Sequence, residues 1–177
     1  MFDPALAAIR QVEALGFDPR DVRHIVMTHM DLDHVGGLAD FPWATVHMHA
    51  AEWQQCTERR TFKDRKRYRP AMWRHGLRRE EYQATGEPWF GLDAVRELRG
   101  LPPEMLLVPL FGHTTGHCGV AIDGDQGWLL HAPTTRSSTT TPWPLLEDPG
   151  PARLRRACRP RGPPALPPPL RERASST

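Results

Sequence analysis

Apolar positions along the first 130 or so residues follow two rhythms, a helical one and the short continuous runs of buried strands. Leu6, Ile9, Val12 and Leu15 recur at helical spacing behind Asp3-Pro4, an N-cap followed by proline at the first helical position, and Gly16 supplies a stop. That pattern predicts an amphipathic helix, and Asp18-Pro19 predicts a second, short helical turn. His24-Ile25-Val26-Met27-Thr28 reads as a buried strand, with Val35 to Leu38 starting a helix behind it. Thr45 to His49 reads as another strand, and Ala50 to Gln55 begins a helix with Trp53 on one face. Further on, Gly91 to Arg99 predicts a helix and Met105 to Leu110 a strand ending just before Gly112. Val120 to Ile122 and Trp128 to His131 then flank the turn Asp123-Gly124-Asp125 as a hairpin.

Composition narrows the class. A chain of 177 residues with 39% hydrophobic and 25% charged content is an ordinary globule with room for one real core. Apolar runs such as Met105 to Leu110 fall far below the ~18 residues of a membrane-spanning helix. The N-terminus lacks the basic-then-apolar order of a secretory signal, so the expected setting is cytoplasmic, without a membrane partner. Three cysteines, Cys56, Cys118 and Cys158, form no CxxC pair, which argues against a disulfide framework and a thiolate zinc site. Cys118 is read as packing.

The net charge of +2 hides a division. Residues 1–132 hold 15 Lys/Arg against 18 Asp/Glu, whereas residues 133–177 hold 8 Arg against 3 acids. That last stretch also holds 11 of the 19 prolines and no Val, Ile, Phe, Tyr, Met, Lys or His, so it is expected to be a disordered tail. The basic pI therefore gives no support for a nucleic-acid partner. Ten Lys/Arg between Arg59 and Arg79, interleaved with Phe62, Tyr68 and Trp73, could grip phosphates and stack bases, but such a stretch is more simply an exposed insertion or a lid over substrate. His47 and His49 likewise read better as strand histidines facing water or neighbouring side chains than as ligands.

The chemistry concentrates in two places. THMDLDHVGG, Thr28 to Gly37, puts His29, Asp31, Asp33 and His34 into six positions behind an apolar run, and GHTTGH follows at Gly112 to His117. In the first, alternation as the chain leaves a strand lets one tight turn present four ligand atoms. Such a cluster reads as built to hold metal. His117 reads as hydrogen-bonded to a ligand or to backbone. Gly36-Gly37 and Gly112 are expected to permit close backbone packing, and the hydroxyls of Thr28 or Thr114 to orient ligands.

The two motifs together resemble the metallo-β-lactamase superfamily, particularly its lactonase-like hydrolases, over Arg23 to Ala132. The resemblance implies an α/β fold, here a partial αβ/βα sandwich over 1–132 with the Pro/Arg-rich tail outside it. It makes His29 and His113 ligands of one metal and Asp33 with His34 ligands of the second, with Asp33 also orienting the nucleophile as the catalytic residue. Position 31 departs from the family pattern HxHxDH: Asp31 stands where the second histidine is usual. Asp31 keeps a donor, but one harder and anionic, shifting preference away from the softest ions and making bound water less acidic. The implied cofactor is a divalent metal, Zn²⁺ or else Mn²⁺ or Fe²⁺, two ions per complete site, and the implied substrate a small lactone, ester or related acyl compound.

Family members also use a bridging aspartate after a strand like Trp128 to His131 and a histidine near the C-terminus. Here His131-Ala132-Pro133 follows the strand, no histidine comes after His131, and few strands precede the first motif. The chain is thus expected to be truncated at its N-terminus and divergent after Ala132. The abrupt compositional break is what translation out of frame from a GC-rich gene would produce, since the shifted frame of Pro133 to Thr140 permits an aspartate near the awaited position. The rival expectations are a nucleic-acid-processing member of the same superfamily, using Arg59 to Arg79, and an inactive truncated product.

Overall fold

A computed structural model of the chain describes residues 3–132, apart from positions 84, 87, 94–97 and 126. The expectations for the tail, its reading frame and the bridging aspartate lie outside the described residues.

Two three-stranded sheets carry the fold. The first is parallel, in the order β1 (His24–Val26), β2 (Thr45–His49), β3 (Arg78–Tyr82). Parallel neighbours need crossover connections, and these carry the helices. Between β1 and β2 lies α2 (Leu32–Val35); between β2 and β3 lie α3 (Ala50–Glu58) and α4 (Phe62–Arg67). The second sheet is an antiparallel meander of β6 (Met105–Pro109), β7 (Cys118–Gly124) and β8 (Gly127–His131).

Strand alternation explains the packing. Val46 and Met48 point to one face of the parallel sheet and join Met27, Met30, Val35, Leu38, Cys56, Tyr68 and Trp73 in the main core. β6 is buried on both faces, which is why MLLVP reads as an unbroken apolar run. Leu106 and Val108 pack with Trp89 and Ala121, while Leu107 packs the other way with Leu98, Cys118 and Val120, against Val26 and Tyr82 of the first sheet. Each such fully buried aliphatic side chain contributes ~1.5–3 kcal/mol.

Four expectations are corrected. The N-terminal helix breaks in two, a 3-10 turn at Pro4–Leu6 and α1 at Ala8–Ala14, because Ala7 is extended, and Leu6 and Leu15 of the supposed apolar stripe are exposed. The helix behind the first motif starts earlier, at Leu32, and ends at Val35. At the start of the expected Gly91–Arg99 helix, Pro88–Trp89 (β4) and Leu92–Asp93 (β5) instead pair as a hairpin, while positions 94–97 of that span lie outside the described residues. Its two-residue turn, Phe90-Gly91, takes positive φ at both positions, as that turn type requires. The basic stretch is only partly an exposed insertion, since Tyr68 and Trp73 are core residues and Arg78–Tyr82 is a strand of the parallel sheet.

Candidate metal centre

The first motif leaves β1 at the carboxyl edge of the parallel sheet, and the second forms the turn between β6 and β7. A main-chain bond ties them, with Cys118 N–H donating to the Thr28 carbonyl at 2.8 Å. A second tie is not visible in the sequence. Glu52, on α3 and almost wholly buried, accepts from Met30 N–H of the first motif at 2.8 Å and from the Thr114 hydroxyl and Gly116 N–H of the second. Burial pushes its carboxyl above the ordinary value, with these hydrogen bonds opposing. Gly116 permits the contact, because a Cβ there would lie 2.1 Å from the Glu52 backbone nitrogen. The glycines expected to allow close packing are not so used: Gly36 and Gly112 face open space, and Gly37 has only an ordinary contact.

Sequence-remote side chains converge here. His29, Asp31 and His113 each offer a ligand atom, all within 4.8 Å of one another. Asp31 Oδ2 stands 2.9 Å from His113 Nε2 and 3.6 Å from His29 Nε2. Donors around one tetrahedral ion at ~2.0–2.2 Å lie about 3.4 Å apart, so the three fit a single divalent cation. Although Asp31 is the N-cap of α2, its side chain makes no capping bond and turns to the cluster instead.

The other two expected donors stand apart from this trio. Asp33 is 82% exposed, and its carboxylate lies 3.7 Å from Nε2 of His34, which is 40% exposed. The His34 ring packs 4.1 Å from that of His29, but among the described residues no third donor joins the Asp33–His34 pair.

Electrostatics favour neutral imidazoles. Burial first, and then the neighbouring His34, lower His29 to about 4 against a partial pull from Asp31, so the ring is neutral near neutral pH and one of its nitrogens carries a lone pair for a metal. The Thr28 hydroxyl sits 3.0 Å from His29 Nδ1 and steadies the ring, as anticipated. His117 donates from Nδ1 to the Leu110 carbonyl at 2.8 Å, which leaves a bare lone pair on a buried Nε2 with no partner among the described residues. Its ring centroid is 5.1 Å from that of His29 and 5.6 Å from that of His113.

Arg67, from the last turn of α4, enters the cluster. Its Nη2 lies 2.7 Å from both Asp31 Oδ2 and His113 Nε2, Nε bonds Asp31 Oδ1, and Nη1 donates to the His113 carbonyl at 2.9 Å. Burial pushes the Asp31 carboxyl up, but the hydrogen bonds and charge of Arg67, with His113 beside it, outweigh that and hold the acid below its usual range. In the sequence, Arg67 is one of ten cations with nothing to distinguish it from its neighbours. The signal that could single it out is the capping box of Thr61 and Asp64, which fixes α4, while Gln55 joins Asp64 to Thr115. Beside the cluster opens a cavity of about 460 Å³, lined among others by Lys63, Arg67, Phe111, His113 and Thr114.

The strand histidines are buried against neighbouring groups, as one of the two expected readings had it, rather than facing water. His47 is fully buried between His24, at 2.9 Å, and the Tyr82 hydroxyl, at 2.8 Å, while His49 caps α3 by accepting from Ala51 N–H.

Two motif loops at strand ends, with a histidine–aspartate trio between them, define a metallohydrolase-type scaffold. The chain belongs to the metallo-beta-lactamase superfamily, whose family profile matches residues 1–170. A Mycobacterium tuberculosis protein named Probable metallo-hydrolase is 45% identical over 130 residues, covering 73% of this chain and 42% of that protein. An N-acyl homoserine lactonase of Azorhizobium caulinodans is 32% identical over 112 residues, covering 62% of this chain and 39% of its own length. The crystal structure of a mutant of B. thuringiensis AiiA, with N-decanoyl-L-homoserine bound at the active site, shares the fold at a TM-score of 0.56 and 19% identity, over 73% of this chain and 44% of that one. The chain thus spans about two fifths of the curated relatives it matches. Among the described residues no helix is long and apolar enough to cross a membrane.

Proposed function

We propose that the protein is a metal-dependent hydrolase of small acyl compounds, lactones or esters, with His29, Asp31 and His113 as donors to one divalent ion and Asp33 with His34 as donors to a second. The observation that carries this reading is the meeting of His29 and Asp31 with His113, some eighty residues away in sequence, with their ligand atoms within 4.8 Å of one another. A bound Zn²⁺, Mn²⁺ or Fe²⁺ supplies Lewis acidity and an acidified water. The chain's own residues do the rest. His29, held neutral by burial, and His113 offer ring nitrogens, Thr28 fixes the His29 ring, and Asp31 adds a negative charge that favours harder ions. In this reading Asp33, exposed on α2, also orients the nucleophilic water.

Similarity to proteins named metallo-hydrolase and N-acyl homoserine lactonase supports the acyl substrate class. Nucleic-acid processing lacks comparable support, since Tyr68 and Trp73 are buried and unavailable for stacking on bases. The test is hydrolysis of a panel of acyl homoserine lactones, aliphatic lactones and aryl esters by metal-free protein resupplied with Zn²⁺ or Mn²⁺. Metal-dependent turnover lost in His29→Ala is expected. Turnover indifferent to chelation and to that substitution would sink the reading.

A further inference from the structure

We propose that Arg67 is a built-in cation that occupies the metal donors in the metal-free protein, so that metal binding is an exchange of one positive charge for another. The inference rests on the donor set proposed above.

Three observations point to it. The Arg67 Nη2 atom bridges Asp31 Oδ2 and His113 Nε2 at 2.7 Å each, which are two of the three donors. A guanidinium only donates, so His113 Nε2 accepts in that contact, and its one lone pair can take the guanidinium or an ion, not both. Asp31 is 13% exposed, with its carboxylate enclosed by the rings of His29 and His113, so it needs a counter-charge whether or not an ion is there. Arg67, 17% exposed, supplies it from a helix fixed by its own capping box.

The exchange has a defined geometry. Only the Nη2 contacts compete with an ion. The Nη1 bond to the His113 carbonyl involves no donor atom, so Arg67 has an anchor from which to pivot towards the adjoining cavity that it lines with Lys63. The guanidinium thereby keeps both motif loops in register before metal arrives and sets a threshold concentration for loading.

The test is Zn²⁺ affinity, read by chelator competition, for the wild type and Arg67→Gln. Removing the competitor should tighten Zn²⁺ binding about 10- to 100-fold, the worth of the charge-assisted bonds that no longer have to break. The metal-free Tm should fall in the same variant, and the gain in Tm on adding Zn²⁺ should grow. Arg67→Lys, a single point charge without the fork, should bind with intermediate affinity and serves if Arg67→Gln does not fold. Equal or weaker Zn²⁺ binding by the folded variants would overturn the exchange while leaving the donor set standing. Absence of saturable Zn²⁺ binding in wild type and variants alike would overturn both.

Discussion

Two groups of histidines in this protein use the same side chain in opposite ways. In the chain His24, His47 and Tyr82, hydrogen bonds run in series: Arg99 N–H donates to the Tyr82 hydroxyl, which bonds His47 Nδ1, and His47 Nε2 bonds His24 Nδ1. Both His47 nitrogens are spoken for, and no carboxylate is hydrogen-bonded to its ring among the described residues. In the cluster of His29, His113 and His117, the rings converge on a carboxylate, and one buried nitrogen, His117 Nε2, has no partner among the described residues. A saturated network is structural because nothing is left to offer a ligand. Lone pairs pointed at one another around an acid are costly unless a cation stands among them.

That contrast can be broken, first and most heavily, at His113. His113→Ala should cut Zn²⁺ affinity by more than the ~10–100-fold that loss of an outer partner costs, measured by calorimetry on folded protein. Next comes Glu52, the link between the two motifs. Glu52→Ala strands Met30 N–H, the Thr114 hydroxyl and Gly116 N–H, and should cost about 3–5 kcal/mol in urea unfolding and weaken Zn²⁺ binding through loop separation. An unchanged unfolding midpoint would show that the link is dispensable.

A pH series on metal-free protein sharpens the comparison further. His29 is depressed to about 4 in the folded chain but titrates near 6.5 when unfolded, so the unfolded state takes up protons first. Its stability contribution is complete above pH 6.5 and is lost as pH falls through the window down to about 4, by up to ~3 kcal/mol. His47 and His117, also lowered chiefly by burial, act in the same direction, as does Asp31, whose burial is outweighed by its bonds to Arg67. Glu52, raised by burial, acts oppositely above its unfolded value of 4.5. A Tm that fails to fall between pH 7 and 5 would contradict the neutral-imidazole cluster. Smallest of all, Tyr82→Phe should cost about 1 kcal/mol in stability and leave Zn²⁺ affinity unchanged, as a structural chain requires. A change in Zn²⁺ affinity would mean the two groups are not separate after all.

Five of the six strands of the two sheets were legible because burial dictates their patterns: β6 as an apolar run, β7 and β8 as a hairpin around a turn; β3, a mostly exposed run of charged residues, was not. The hairpin at Phe90-Gly91 escaped because its strands are two residues long and a phenylalanine occupies a positive-φ position that sequence rules give to Asn, Asp or Gly. Gly116, not Gly36, Gly37 or Gly112, proved to be the glycine demanded by close approach, since its neighbour Glu52 lies sixty-four residues away in sequence.

What the sequence by itself determined was the family and the identity of the candidate donors, because ligand chemistry requires particular side chains at short spacing around a strand end, and that spacing is local. Only the tertiary structure decided which of them meet. It joined His29 and Asp31 to His113, set Asp33 at the surface, placed Glu52 between the loops, and brought Arg67 out of a run of ten cations to lie against Asp31. The reason is physical: a buried carboxylate selects its counter-ion by distance and desolvation, and neither is written along the chain.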